Sequence, residues 1–154
     1  MSRVAPGRPK LILLALTLVV LMTASVMLAG CGDNSPEGEV SKLISAWQDM
    51  DWDAYKASVV PAERNLSKDQ EALAKQKFQQ VQLKYDDVEM KTTYDPKDKN
   101  KATVVLVGGK ITVKAKILGE YKTETKDVRE LTDEEKTYET LKVDGVWYVN
   151  IKLG

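Results

Sequence analysis

From Val40 to about Gln79 the apolar residues of this chain recur at helical spacing, and from Val88 onward they alternate with polar ones. A helix presents one face about every 3.6 residues and a strand every second residue, so each stretch buries its apolar set in only one of the two forms. Val40, Leu43, Ile44, Trp47 and Met50 make one helical face. Ser35 as N-cap, Pro36 at the first position and Glu37 in the first turn mark where that helix starts. Asp51 can cap a shorter helix carrying Trp52, Tyr55 and Val59, ended by Pro61, which disfavours helical backbone at Val60. Ser67 and Gln70 have the spacing of a capping box. They predict a third helix to about Gln79, with Ala74 and Phe78 inward and Glu71 spaced to pair with Lys75. Val81, Leu83 and Tyr85 already alternate like a strand.

The second half reads as strands. Val88, Met90, Thr92 and Tyr94 alternate with Glu89, Lys91, Thr93 and Asp95, and a polar turn follows over 96–101. Gly108-Gly109 separates two apolar-alternating runs and predicts a tight hairpin. That hairpin would pair Leu106 with Ile111, Val104 with Val113 and Ala102 with Ala115, all on one face. Tyr121, Thr123 and Thr125 predict another strand, preceded by a turn or bulge at Gly119-Glu120. Residues 131–135 read as an acidic loop. Asp144-Gly145 predicts a closing hairpin of 136–143 with 146–152, with Trp147, Val149 and Ile151 facing the core. Helices followed by an antiparallel meander give an α+β domain, its N-terminal helices packed on a curved sheet of five or six strands.

The N-terminal segment is of another kind. Arg3, Arg8 and Lys10 precede twenty uncharged residues, 11–30, and then comes the chain's single cysteine in Leu28-Ala29-Gly30-Cys31. A basic start, an apolar run and small residues before a cut are the export pattern. Leu28 to Cys31 resembles the lipobox of bacterial lipoproteins. The resemblance implies cleavage between Gly30 and Cys31, and lipid attachment on the Cys31 thiol. It divides the chain into a signal peptide (1–30), a lipidated cysteine and short tether (31–38) and one α+β domain (39–154). The run is also long enough for an uncleaved anchor, since a span needs about 20 residues. Either way the remainder is placed outside the cytoplasm, because the basic residues lie before the run.

All 23 acidic residues lie after Gly30, whereas three of the 23 basic ones precede it. The part beyond the signal therefore carries 20 basic residues and a net charge of −3. This composition argues against nucleic acid as a partner and gives no electrostatic attraction to anionic lipid. The expected partner is the cell membrane, reached through covalent lipid on Cys31. There is no histidine, and Cys31 is committed, so the commonest general base and zinc sites of Cys and His are absent. No cofactor and no metal are expected. Asp49, Asp51 and Asp53 alternate, but the positions where an EF-hand needs glycine and glutamate hold Ala54 and Val60.

The domain also resembles the cystatin-like and nuclear-transport-factor-2-like superfamily, nearest to its small bacterial lipoproteins. Three stretches carry this: Val40 to Trp47 followed by Asp51-Trp52-Asp53-Ala54-Tyr55, the strand start Ala102-Thr103-Val104, and the ending Leu141 to Val149 around Asp144-Gly145. The resemblance implies a sheet curled around a cone-shaped pocket, used in different members for ligands, catalysis or dimerisation; fold alone does not choose among them. Trp47, Trp52, Tyr55 and Phe78 are the candidates to line an apolar pocket, though residues at this helical spacing are more often ordinary core. No set of residues reads as catalytic. The expected function is a noncatalytic, lipid-anchored extracytoplasmic domain binding a small apolar ligand or an envelope protein. The alternatives are a histidine-independent isomerase or hydrolase using Asp and Tyr in the cone, and a structural module pairing its sheet within an envelope assembly.

Overall fold

The computed structural model describes residues 34–117 and 119–153, with 117 described by its backbone. The expected signal peptide 1–30, the Gly30–Cys31 junction and the lipid site Cys31 lie outside the described residues.

The helices follow their sequence signals. Helix α1 is Pro36–Gln48, with the Ser35 hydroxyl accepting from the Gly38 N–H. Helix α2 is Trp52–Ser58, capped by the Asp51 carboxylate. Helix α3 is Lys68–Gln80, with both halves of the Ser67/Gln70 box formed. Met50, expected on the first helix, lies beyond its end with φ +56°. Residues 34–38, expected as tether, belong to the domain. The Asn34 side chain donates to Gly145 O and accepts from Trp147 N–H, and α1 begins at Pro36.

A strongly curled antiparallel sheet of five strands, a half-barrel, packs against these helices, giving an α+β cone-like fold. Its strands are β1 (Val81–Tyr94), β2 (Lys101–Ile117), β3 (Glu120–Asp127), β4 (Thr137–Val143) and β5 (Val146–Val149). The long β2 pairs with β1 along one edge, and with β4 at one end and β3 at the other along its second edge. β5 then pairs with β4.

The Gly108-Gly109 hairpin is not formed. Both glycines lie inside β2, and the reversal occurs at 95–101, where the Asp95 carboxylate accepts from the N–H groups of Lys97 and Asp98. The pair instead faces a bulge in β1: Asp86 lies opposite Lys110, Glu89 opposite Gly108 and Met90 opposite Leu106. Asp87 takes φ +51° there and Gly109 φ +99°. Both strands thereby change phase. Leu83 and Tyr85 pair with Val113 and Ile111 on one side of the bulge, and Met90 and Thr92 with Leu106 and Val104 on the other. Leu106 and Ile111 do join the same buried core, but through a bulged continuous strand. A two-residue hairpin and a one-residue bulge both move an apolar set from even to odd positions, so the alternation alone does not separate them.

Three smaller departures from the sequence signals have one local and two tertiary causes. The loop at 131–135 contains a one-turn helix α4, Asp133–Lys136, because Thr132 and Glu135 form a second capping box. Glu71 pairs with Lys56 of α2 at 2.7 Å, not with Lys75 one turn along its own helix. The last strand ends at Val149, where Val59 and Val60 take up its free edge: Val59 forms a parallel bridge to Val149, and Val60 N–H donates to Val149 O at 3.0 Å. The Asp144-Gly145 hairpin has the two-residue register, with Val143 opposite Val146.

The hollow of the sheet is filled by α1. Val40, Leu43 and Ile44 share one buried cluster with Val104, Leu106, Ile111, Val128 and Val149. Among the described residues no helix is long and apolar enough to cross a membrane.

Candidate aromatic cleft

The four aromatic residues singled out in the sequence meet in one place. Phe78 of α3 lies at ring-centroid distances of 4.9 Å from Tyr55, 5.5 Å from Trp52 and 5.7 Å from Trp47. Trp47 and Tyr55 are themselves 5.2 Å apart, edge to face. Spacings of this kind add roughly 0.5–1.5 kcal/mol per pair beyond area burial. Each indole N–H has a partner: Trp47 donates to Val81 O at 3.0 Å, and Trp52 to the Glu71 carboxylate at 3.4 Å. The first of these bonds ties the end of α1 to the start of β1.

These side chains are core and cleft wall at once. Trp52, Tyr55 and Phe78 are buried, and Trp47 is half-buried. On their outer side they line a half-open cleft of about 290 Å³, completed by Ala74, Val81, Leu153 and the two lysines Lys77 and Lys152. Its size is at the lower end of ordinary small-molecule sites, which run from roughly 300 to 1,000 Å³. Its walls are apolar and its cations stand on the exposed rim. The four rings are the aromatic candidates named from the sequence, whereas Lys152 and Leu153 carry no sequence signal for this position. They reach the cleft because the last strand stops at Val149, earlier than the alternation suggested.

Behind the aromatic wall three tyrosines converge. The Tyr85 and Tyr138 hydroxyls are 3.4 Å apart, and Tyr55 lies close enough to both for their charges to interact. Burial, reinforced by the Tyr138 phenol, pushes the Tyr55 hydroxyl up to about 12. Burial raises Tyr85 and Tyr138 as well. All three are therefore neutral near pH 7 and suited to donate hydrogen bonds rather than to abstract protons. Among the described residues the only hydrogen bond of these hydroxyls is the one between Tyr85 and Tyr138.

This cluster sets an alkaline limit on the fold. A tyrosine whose folded pKa exceeds its unfolded value keeps its proton after the unfolded chain has released it, so stability falls as pH rises through that window. Tyr55 alone, moving from 10.0 to about 12, corresponds to a loss of about 2–3 kcal/mol across that interval. Unfolding midpoints measured from pH 8 to 12 should be level at first and then fall steeply above pH 10. A midpoint unchanged to pH 12 would contradict the burial of these hydroxyls.

A larger groove of about 610 Å³ lies between α1 and α2. It is lined by small side chains such as Ser41, Ser45, Ala54 and Ala57, and Asp51 at its rim is used as a helix cap. Glu39, Lys42 and Asp49 also line it, and it contains no aromatic side chain. Among the described residues no three acids, cysteines or histidines are grouped as a metal site. No protein-family model matches the chain, and no curated protein matches its sequence.

Proposed function

We propose that this protein is a noncatalytic domain, held at the outer side of a cell membrane by lipid on Cys31, that binds a small apolar ligand in the aromatic cleft. The observation that supports binding best is the cleft itself: Trp47, Trp52, Tyr55 and Phe78, from three helices, share one open apolar wall with lysines at its rim. Apolar walls with few polar groups are the ordinary make-up of ligand sites. Lys77 and Lys152 favour a ligand whose apolar body ends in an anionic or hydrogen-bond-accepting group. The buried tyrosine cluster, protonated near pH 7 and with Tyr85 and Tyr138 bonded to each other, favours binding over turnover. The filled hollow of the sheet moves the proposed ligand from the cone to this cleft beside it.

The two halves of the proposal are tested separately. Metabolic labelling with an alkyne fatty acid should mark the wild-type chain and not Cys31→Ser; equal labelling of both would overturn the anchor. For the cleft, anilinonaphthalene sulfonate carries an apolar aromatic body and an anionic end. It should quench tryptophan fluorescence saturably in the wild-type protein. Val81→Phe, which fills the cleft from the start of β1, should weaken that binding at least about tenfold, the factor corresponding to about 1.4 kcal/mol. Unaltered binding in Val81→Phe would place the probe elsewhere and overturn the site.

A further inference from the structure

Strand β3, like β1, is an edge of the sheet. Among the described residues it pairs only with β2, and Glu120 to Thr125 are all exposed. An edge of this kind is a template for another strand unless something blocks it. β3 contains no proline, and its pairing with β2 runs without a bulge from Glu120 to Asp127. Its charges alternate in sign along one face: Glu120, Lys122, Glu124, Lys126.

That order is most fully self-complementary in one register, which makes four opposite-charge pairs, against two after a slip of four residues either way. If two copies meet antiparallel with Thr123 opposite Thr123, Lys122 of each lies opposite Glu124 of the other, and Glu120 opposite Lys126. On the other face Tyr121 lies opposite Thr125. A slip of two residues one way sets Lys122 against Lys122 and Glu120 against Glu124. A slip the other way sets Glu124 against Glu124 and Lys122 against Lys126. Opposite charges across a strand pair are stabilising and like charges destabilising, so the pattern selects the first register and penalises its neighbours. Directly opposed residues in antiparallel strands share a face. This register therefore keeps both helical layers on the same side of a continuous ten-stranded sheet.

We propose that β3 is a homodimer edge, and that the partner it fits is a second copy of this chain in the register centred on Thr123. In the single chain Lys126 holds Glu124 at 3.3 Å, both half-exposed or more. Pairing exchanges that contact for four cross-strand ion pairs and a row of backbone hydrogen bonds. This dimer leaves the aromatic cleft untouched and stands or falls independently of ligand binding.

The test uses the full-length chain extracted in mild detergent and sized by analytical ultracentrifugation. The wild-type protein should show a monomer–dimer equilibrium. Lys122→Glu, which turns two attractive pairs into repulsive ones, should weaken it roughly tenfold or more. Glu124→Lys should do the same, and the double exchange of Lys122→Glu with Glu124→Lys should restore it. Oxidation should cross-link Thr123→Cys across the two-fold axis more readily than Tyr121→Cys, over the background of the wild-type chain with Cys31 alone. A wild-type chain that stays monomeric at every concentration, or a dimer indifferent to the single exchanges, would overturn the proposal. So would cross-linking that favours position 121.

Discussion

Gly109→Val should cost roughly 3–5 kcal/mol, most of the stability of a marginal domain, because backbone strain and steric overlap act together there. At φ +99° a β-branched residue is a backbone outlier. A Cβ would also lie 2.6 Å from Asp87 O and 2.7 Å from Val88 Cα, in the backbone of the opposing bulge, where neither strand can yield without breaking the register. Gly145 separates the two causes. It has φ +84° in the β4–β5 turn, but nothing within 4 Å of a built Cβ. Gly145→Val should therefore show the strain alone, about 1–3 kcal/mol. Urea unfolding followed by tryptophan fluorescence measures both. Equal losses at the two positions would show that the bulge does not pack as described.

Phe78→Ala should cost about 3–5 kcal/mol, the usual range for deleting a buried aromatic ring. Phe78 is 5% exposed and touches Tyr55, Trp52 and Trp47, so its removal leaves three rings without their common neighbour. Phe78→Leu keeps much of the volume, forfeits the ring contacts and should cost less than half as much. The near-ultraviolet circular dichroism of the tryptophans should weaken with Phe78→Ala even below the unfolding transition. A loss under about 1 kcal/mol would mean that the ring packs on the surface, contrary to its burial.

Local signals carried much of this fold. Ser35, Asp51 and Ser67 mark their helices because a side-chain oxygen meets an otherwise unpaired N–H, an interaction complete within four residues. Asp144-Gly145 likewise marks a turn whose positive φ values are local. Gly108-Gly109 is different. Whether the chain reverses there depends on what lies opposite, and the answer is at Asp86–Val88, some twenty residues away. The phase change from Val81-Leu83-Tyr85 to Val88-Met90-Thr92 was visible in the sequence, and it becomes interpretable only beside the matching change in β2. Glu71 shows the same limit. Helical spacing offered Lys75, whereas the packing of α3 on α2 brings Lys56 and the Trp52 indole to the carboxylate. In the cleft, helical spacing identified all four rings. Lys152 and Leu153 were hidden because they follow the end of β5 at Val149, where the alternation had suggested strand.

Ligand capture in the aromatic cleft is tested most directly by native mass spectrometry of the full-length protein, released gently from its own membrane. The wild-type chain should carry, beyond any covalent lipid, a dissociable small apolar molecule at fixed stoichiometry, and Val81→Phe prepared alongside should lack it. A wild-type spectrum holding only the chain and its covalent modifications, or one in which Val81→Phe retains the same molecule, would contradict the account.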